Sequence, residues 1–148
     1  MDAKRMVTGT IVGGVTLFAV GYALFNVLLS DFYAANAGSA TGVNRESQIL
    51  WSVLLGNFGY AALITYAAGG RSEGPTLQRT ALTGAVVGFL LWFTTDFIFY
   101  GIANTSNLTL TVVDPLVELI HGAIAGGMIG LVLGRLSARD TAPAYARA

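Results

Sequence analysis

The sequence predicts an all-α fold, a polytopic integral membrane four-helix bundle with both termini in the cytoplasm. Hydrophobic residues make up 54% of the 148 residues and only 11% are charged, whereas about 25% of the residues of a soluble domain are charged. Four apolar segments are long enough to cross a bilayer. Basic residues are concentrated at one end of those segments.

The four apolar segments form one predicted domain over residues 1–148. We predict spans at about 6–30, 49–68, 81–103 and 115–134. An α-helix of about 20 residues rises about 30 Å, which matches the hydrocarbon thickness of a bilayer. Asp114 followed by Pro115 predicts the start of the fourth helix, with the carboxylate as its cap and the proline in its first turn.

Basic residues set the predicted orientation. One end of the predicted bundle carries Lys4, Arg5, Arg71, Arg79, Arg135, Arg139 and Arg147, and the other end carries Arg45 alone. Because cytoplasmic loops are enriched in lysine and arginine, we predict that both termini and the middle connection lie in the cytoplasm. The expected location is the cytoplasmic (inner) membrane, with the lipid bilayer as surroundings.

Composition excludes several classes of function. The chain has no cysteine, which excludes disulfide frameworks and thiolate metal sites. Its formal net charge of +0 leaves no basic surface for nucleic acid. The sequence has no P-loop, dinucleotide fingerprint, nucleophile elbow or HExxH motif and identifies no cofactor. A membrane-embedded enzyme that uses Glu118 and His121 as an acid–base pair is therefore only the second alternative.

Glycines recur four residues apart in the third and fourth predicted helices. They are Gly84 and Gly88, and then Gly122, Gly126, Gly130 and Gly134. Small residues let helix backbones approach closely inside a membrane. The two rows predict a close right-handed crossing of these helices. An alternative is that the longer row forms an interface with a second copy of the chain or with a larger membrane complex.

Polar side chains inside the predicted spans mark a site, because such groups are costly in lipid and are frequently functional. They are Asp96, Glu118, His121, Asn26, Asn57 and Tyr22. From the predicted helix ends, Asp96 lies about 10 Å, Glu118 about 5 Å and His121 about 9 Å below the outer surface. Glu118 and His121 are spaced to meet on one helical face. We predict that all six side chains lie in the outer half of the bundle.

These residues support several interpretations. Our first hypothesis is a protonatable site that binds or passes a small ligand, cation or proton, in a protein that forms a homo-oligomer. The same side chains could instead form a hydrogen-bond network that only holds the helices together. A metal site of Asp96, Glu118 and His121 has suitable donors without a spacing signature, and porphyrin ligation would depend on His121 alone. The alternative from another class is an accessory subunit that packs its glycine row against a larger membrane complex.

Three stretches of the chain carry a resemblance to known sequences. Gly21-Tyr22 precedes the run LLSDFYAANAG, Gly84 and Gly88 precede WFTTDF, and VVDP leads into the glycine-rich fourth helix. In these stretches the sequence resembles the small four-helix bacterial membrane proteins catalogued as domains of unknown function. The resemblance implies the four-helix topology and assigns no activity or catalytic residue.

Overall fold

The fold is all α-helical over residues 2–69 and 74–141, which are the residues that this computed structural model describes. The helices are α1 (Ala3–Ala23), α2 (Ser30–Ala35), α3 (Leu50–Gly69), α4 (Leu77–Ile102) and α5 (Leu108–Thr141), with a π-helical turn, Leu24–Leu28, after α1. The prediction of an all-α fold is confirmed. Arg71 and Arg147, used above to predict orientation, lie outside the described residues.

Four stretches are long and apolar enough to cross a membrane, as predicted. They are Ala3–Leu28, Leu50–Gly69, Leu77–Ile102 and Leu108–Ser137. The first three agree with the predicted spans to within a few residues. Large apolar side chains cover much of their outer surface, including Ile11, Leu55 and Leu82, as a bilayer requires. The described part of the chain therefore has four helices of the length and composition that a multi-pass membrane protein requires.

The fourth span begins earlier than predicted. Helix α5 starts at Leu108, and Pro115 lies inside it. Asn107 provides the cap, because its Oδ1 accepts a hydrogen bond of 2.9 Å from the backbone N–H of Leu110. The prediction that Asp114 and Pro115 begin this helix is wrong. Proline inside a helix is tolerated in membrane proteins, since neighbouring groups can compensate for the missing backbone hydrogen bond.

The longer helix also corrects the predicted depths. Counted from Leu108 at 1.5 Å per residue, Glu118 lies about 15 Å and His121 about 20 Å from the helix start. Both side chains therefore lie near the middle of the span. Asp114 is about 9 Å from the start of α5, and Asp96 is about 9 Å from the end of α4. Asp96 is therefore level with Asp114, whereas the predicted helix start had placed it nearer to Glu118 and His121.

The helices pack as two pairs, α1 with α3 and α4 with α5, and α1 joins the pairs by lying against α5. In the half of the bundle that contains the start of α1 and the end of α5, apolar side chains with almost no exposure fill the centre. They are Leu17, Ala61, Ile64, Ala125, Ile129 and Leu133. Contact between α3 and α4 is much less extensive than within the pairs. The bundle is therefore closed at one end and open between α3 and α4 at the other.

The backbones of α4 and α5 touch at their glycines. A Cβ atom on Gly84 would overlap the carbonyl oxygen of Gly122, and one on Gly126 would overlap the carbonyl oxygen of Thr80. Gly130 faces the backbone of α4 in the same way. Helix α4 thus covers the glycine row of α5. The glycines on which the accessory-subunit interpretation relies therefore face a helix of the same chain.

Two connections are joined to each other at the open end of the bundle. Gly38 N–H donates to the carbonyl of Thr105 at 3.1 Å, and Ala40 N–H donates to the carbonyl of Asn104 at 2.9 Å. The Asn107 side chain donates to Oδ1 of Asn36 at 3.0 Å. A Cβ on Gly38 would overlap the Asn104 carbonyl, so this close approach requires glycine.

Neighbouring glycines of α5 provide a test of the helix crossing. We expect Gly126→Ala to lower the free energy of unfolding by about 1–3 kcal/mol, because the new methyl group meets the α4 backbone, which cannot rotate away. We expect Gly127→Ala to be neutral or stabilising by up to about 1 kcal/mol, because its Cβ meets only the Ala81 methyl at 3.7 Å and alanine favours helix. Thermal unfolding in detergent, followed by circular dichroism, measures both. Equal losses of stability in the two variants would contradict the crossing.

Candidate functional site

Buried polar side chains follow one face of α5. Thr111, Asp114, Glu118 and His121 have relative exposures of 1%, 8%, 3% and 3%. Their spacing of three and four residues places them on the same side of the helix. Inside a membrane protein this face must turn toward the other helices, because lipid cannot satisfy its hydrogen-bonding groups. We call these four residues the polar stripe.

His121 joins α5 to α1 and to Glu118. Its Nε2 atom lies 2.9 Å from the carbonyl oxygen of Leu17, and its Nδ1 atom lies 3.0 Å from Oε2 of Glu118. Because a carbonyl oxygen only accepts, Nε2 carries a hydrogen. Nδ1 then either accepts from a neutral Glu118 or donates to its carboxylate. In both cases one proton lies between the two side chains, and the pair as a whole is neutral.

The surroundings of the imidazole hold it in place. A Cβ on Gly21 would lie 3.2 Å from Cε1 of His121, so glycine lets the ring reach the α1 backbone. The rings of Phe25 and Tyr60 meet the imidazole edge-on, with centroid distances of 5.6 and 6.2 Å. Phe25 belongs to the π-helical turn that follows α1, a local distortion that is frequent at functional sites.

A cleft of about 1330 Å³ leads from the open end of the bundle to this pair. It lies between α1, α3 and the facing ends of α4 and α5. Its walls include Tyr22, Asn26, Asn57, Tyr60, Trp92, Asp114, Glu118 and His121, and Arg45 and Gln48 contribute to its rim. The cleft is large enough for a molecule of drug size.

Five of the six predicted site residues line this cleft. Glu118 and His121 lie at its buried wall, whereas Tyr22 is 59% exposed. Asn26 accepts a hydrogen bond of 3.1 Å from Gln48 at the rim. Asn57 donates back to the Val53 carbonyl of its own helix at 2.9 Å. The predicted residues thus surround one space without forming a single hydrogen-bonded cluster.

Asp96 lies in an adjoining cavity of about 310 Å³. Tyr33, Trp92 and Asp114 line both spaces. The carboxyl groups of Asp96 and Asp114 are close enough to interact. Because the corrected start of α5 brings Asp114 to the level of Asp96, these two acids face each other, and Glu118 faces His121.

Asp114 and Tyr33 are site residues that the sequence reasoning missed. The Tyr33 hydroxyl donates a hydrogen bond to Oδ1 of Asp114. Burial, reinforced by the Asp114 carboxylate, raises the pKa of Tyr33 well above its usual range, so this hydroxyl stays protonated. Asp114 lies four residues before Glu118, and this spacing predicts that the two side chains share a helix face. The assignment of Asp114 as a helix cap left this spacing unused. Tyr33 had no comparable signal, since it lies in a polar connection.

Tyr60 is a third site residue that was not predicted. Its side chain is only 8% exposed. The hydroxyl lies where a Cβ on Gly88 or Gly122 would meet it, and it interacts with the Glu118 carboxyl group. Tyr60 therefore connects α3 to the Glu118 segment of α5, while its ring lines the cleft.

The geometry does not support the metal and porphyrin hypotheses. Within the part of the chain that the structure describes, no three His, Cys, Asp or Glu side chains lie together so as to hold a metal ion. Asp96 is in a different cavity from Glu118 and His121. Both ring nitrogens of His121 already have hydrogen-bond partners, so axial ligation would break one of these bonds.

No family model, curated protein or solved structure matches this chain. The resemblance to small four-helix bacterial membrane proteins therefore stays a prediction.

The protonation of His121 can be measured directly, since it is the only histidine in the chain. We expect Nε2 to carry a hydrogen at every pH at which the protein stays folded, because the Leu17 carbonyl only accepts. In Glu118→Gln we expect Nδ1 to become an unprotonated acceptor of the amide. Two-dimensional NMR of protein labelled with ¹⁵N-histidine reports both nitrogens. Asp96→Asn makes the same acid-to-amide change in the adjoining cavity and should leave the ring spectrum unchanged. A ring protonated only at Nδ1 would contradict this assignment.

Proposed function

We propose that this protein binds a small amphipathic molecule in the cleft between α1, α3 and α4, with Glu118 and His121 at the buried end of the site. The observation that carries the proposal is a cleft of about 1330 Å³ that reaches this proton-sharing pair. Ligand sites in proteins are typically concave and mostly apolar, with a few convergent polar groups.

The lining suits a molecule with an apolar body and a polar group. Aromatic and aliphatic side chains form most of the wall, including Phe18, Phe25 and Leu63. Hydrogen-bonding groups converge at the buried end, where Glu118 keeps one oxygen beyond the atom that contacts His121. Under this proposal the apolar walls hold the body of the ligand, and Glu118 binds its polar group.

The packing favours binding over passage across the membrane. On the side of the termini, the cleft is followed by Leu17, Ile64, Ile129 and Leu133, each with an exposure of 1% or less. Among the described residues, the polar side chains buried on this side are the hydroxyls of Thr65, Thr80 and Thr83, and no charged side chain is buried there to accompany an ion beyond the Glu118–His121 pair. Of the two activities predicted from the sequence, ligand binding is therefore the one that the geometry supports.

The proton shared by Glu118 and His121 gives the site a chemical role. When the proton is on Nδ1, the second Glu118 oxygen carries negative charge and attracts donors. When it is on Glu118, the side chains are both uncharged and the site accepts neutral groups. The charge on Glu118 can thus change without exchange of a proton with solvent. We infer that Glu118 orients the ligand and that His121 sets the charge of Glu118.

We further propose a cytoplasmic-membrane location with both termini in the cytoplasm. The described ends of α1, α4 and α5 on the closed side of the bundle carry Lys4, Arg5, Arg79 and Arg135, whereas Arg45 lies at the cleft rim. The positive-inside rule places the first group in the cytoplasm. The cleft then opens on the outer side. A homo-oligomer remains part of the proposal.

Two glycines with open surroundings provide a test of the proposed site. Gly56 lines the cleft and Gly101 lies elsewhere, and a Cβ on either glycine would meet no atom within 4 Å. We expect Gly56→Leu to fill part of the cleft and remove a co-purifying small molecule, whereas Gly101→Leu should retain it. Both variants should fold, since leucine favours helix more than glycine does. Native mass spectrometry of gently extracted protein measures the bound mass and the oligomeric state.

One result of comparing Gly56→Leu with Gly101→Leu would contradict the proposed site. A bound species that is retained equally by Gly56→Leu and Gly101→Leu would place the ligand outside the cleft and overturn the proposal. Glu118→Gln should also lower occupancy while the protein still inserts. If Glu118→Gln and Asp96→Asn changed only thermal stability, the polar groups would serve to hold the helices together and nothing more.

A further inference from the structure

The acidic groups of the cleft lack a positive partner. Asp114 and Glu118 line it, and Asp96 lies in the adjoining cavity. Any positive charge on His121 is shared with Glu118. Arg45 lies at the rim on an exposed connection, and across residues 2–69 and 74–137 it forms no ion pair with these acids. The interior therefore has an excess of carboxyl groups.

Asp114 is the acid whose charge is least compensated. It is 8% exposed, and the hydrogen bond that it accepts comes from the neutral Tyr33 hydroxyl. The neighbouring acid, Asp96, interacts with Asp114 through a shared proton, which leaves the two carboxyl groups with one negative charge between them. A buried carboxylate is stable only when a cation or a proton neutralises it. A positively charged ligand in the cleft would supply this missing charge.

We propose that the ligand is a lipophilic organic cation, a hydrophobic amine or quaternary onium ion, with Asp114 as its counter-ion; this rests on the cleft being a binding site. Aromatic rings line the path to Asp114, namely Phe18, Tyr22, Phe25, Tyr33, Tyr60 and Trp92. Cations bind to the faces of such rings. Tyr60 adds its ring to this lining, whereas its hydroxyl lies against Gly88 and Gly122 beside Glu118.

The volume and charge of the cleft favour an organic cation over a metal ion, a proton, an anion or an uncharged molecule. A bare metal ion or proton does not need a cleft of about 1330 Å³ lined mainly by apolar atoms. An anion would meet Asp114 and Glu118 without a facing cation. An uncharged apolar molecule would leave the Asp114 charge uncompensated. An organic cation fits the volume, the aromatic lining and the missing charge together.

Protons and the cation compete for the same carboxylate in this proposal. Tyr33, Asp96, Glu118 and His121 interact with Asp114, and Tyr60 and Arg45 line the same cleft. Protonation of the acids removes the attraction for a cation, and protonation of His121 adds repulsion. Binding of the cation should therefore weaken as the pH falls.

Tetraphenylphosphonium and tetraphenylborate are suitable probes, since they have the same shape and opposite charges. Trp92 lines the cleft, whereas Trp51 is 71% exposed and lies outside it. In a Trp51→Phe protein, the emission of Trp92 therefore reports occupancy of the cleft. We expect tetraphenylphosphonium to change this emission in a saturable way, and tetraphenylborate to have no saturable effect.

Substitutions inside and outside the cleft show where tetraphenylphosphonium binds. In this single-tryptophan protein, Asp114→Asn should weaken tetraphenylphosphonium binding about tenfold or more, the order expected for loss of a charged contact. Gly56→Leu should abolish binding, and Gly101→Leu should leave it unchanged. Circular dichroism and thermal unfolding show whether each variant folds. Should Asp114→Asn fail to fold, the pH dependence of binding in the Trp51→Phe protein tests the same charge requirement.

The outcomes distinguish the two proposals. Binding of tetraphenylphosphonium that weakens at low pH and disappears in Gly56→Leu supports the inference. Equal or tighter binding of tetraphenylborate at the cleft overturns the cation preference while leaving the cleft as a ligand site. If neither probe binds but Gly56→Leu displaces a co-purified neutral molecule, the cation preference is likewise overturned and the cleft is still a ligand site. If neither probe binds and Gly56→Leu retains every bound species, both proposals fail.

Discussion

The close contact between the α4 and α5 backbones is the constraint on which the rest of the structure depends. Gly84, Gly88, Gly122 and Gly126 allow it, because a Cβ on any of them would overlap atoms of the facing helix. The same glycines leave the space that the Tyr60 hydroxyl occupies. Helix packing and site geometry are therefore not independent. Side chains at these positions would separate α4 from α5 and displace α3 through Tyr60.

The contact also determines which acids meet. With α4 held against α5, Asp96 and Asp114 occupy the same level, and Glu118 remains one turn further along with His121. The bundle thus has two polar regions, one around Tyr33 and the paired aspartates and another where His121 reaches the α1 backbone. Helix α1 contributes no charged side chain to the interior. It contributes the Leu17 carbonyl, which fixes the orientation and tautomer of the imidazole.

The sequence was sufficient for the all-α fold class and for five of the residues that line the cleft, and the reasons for the exceptions are physical. Hydrophobic length predicts membrane spans because lipid imposes it, and the spacing of Glu118 and His121 predicts their contact. Asp114 was misassigned because Asp-Pro is typical of a helix start, and only tertiary packing shows that Asn107 caps the helix instead. Tyr33 and Tyr60 could not be predicted, since their roles depend on which helices are neighbours. No local pattern shows that α3 and α4 leave a cleft between them.

The hydrogen bonds between the two outer connections bear on how the cleft can change shape. Residues 36–40 are bonded to residues 104–107, so the end of α2 and the junction of α4 with α5 form one tethered unit. The connection before α3 is held to the π-helical turn after α1 by the exposed hydrogen bond between Gln48 and Asn26. The first turns of α3 therefore form the wall of the cleft with the fewest bonds to its surroundings, and any widening of the cleft would cost least on that side.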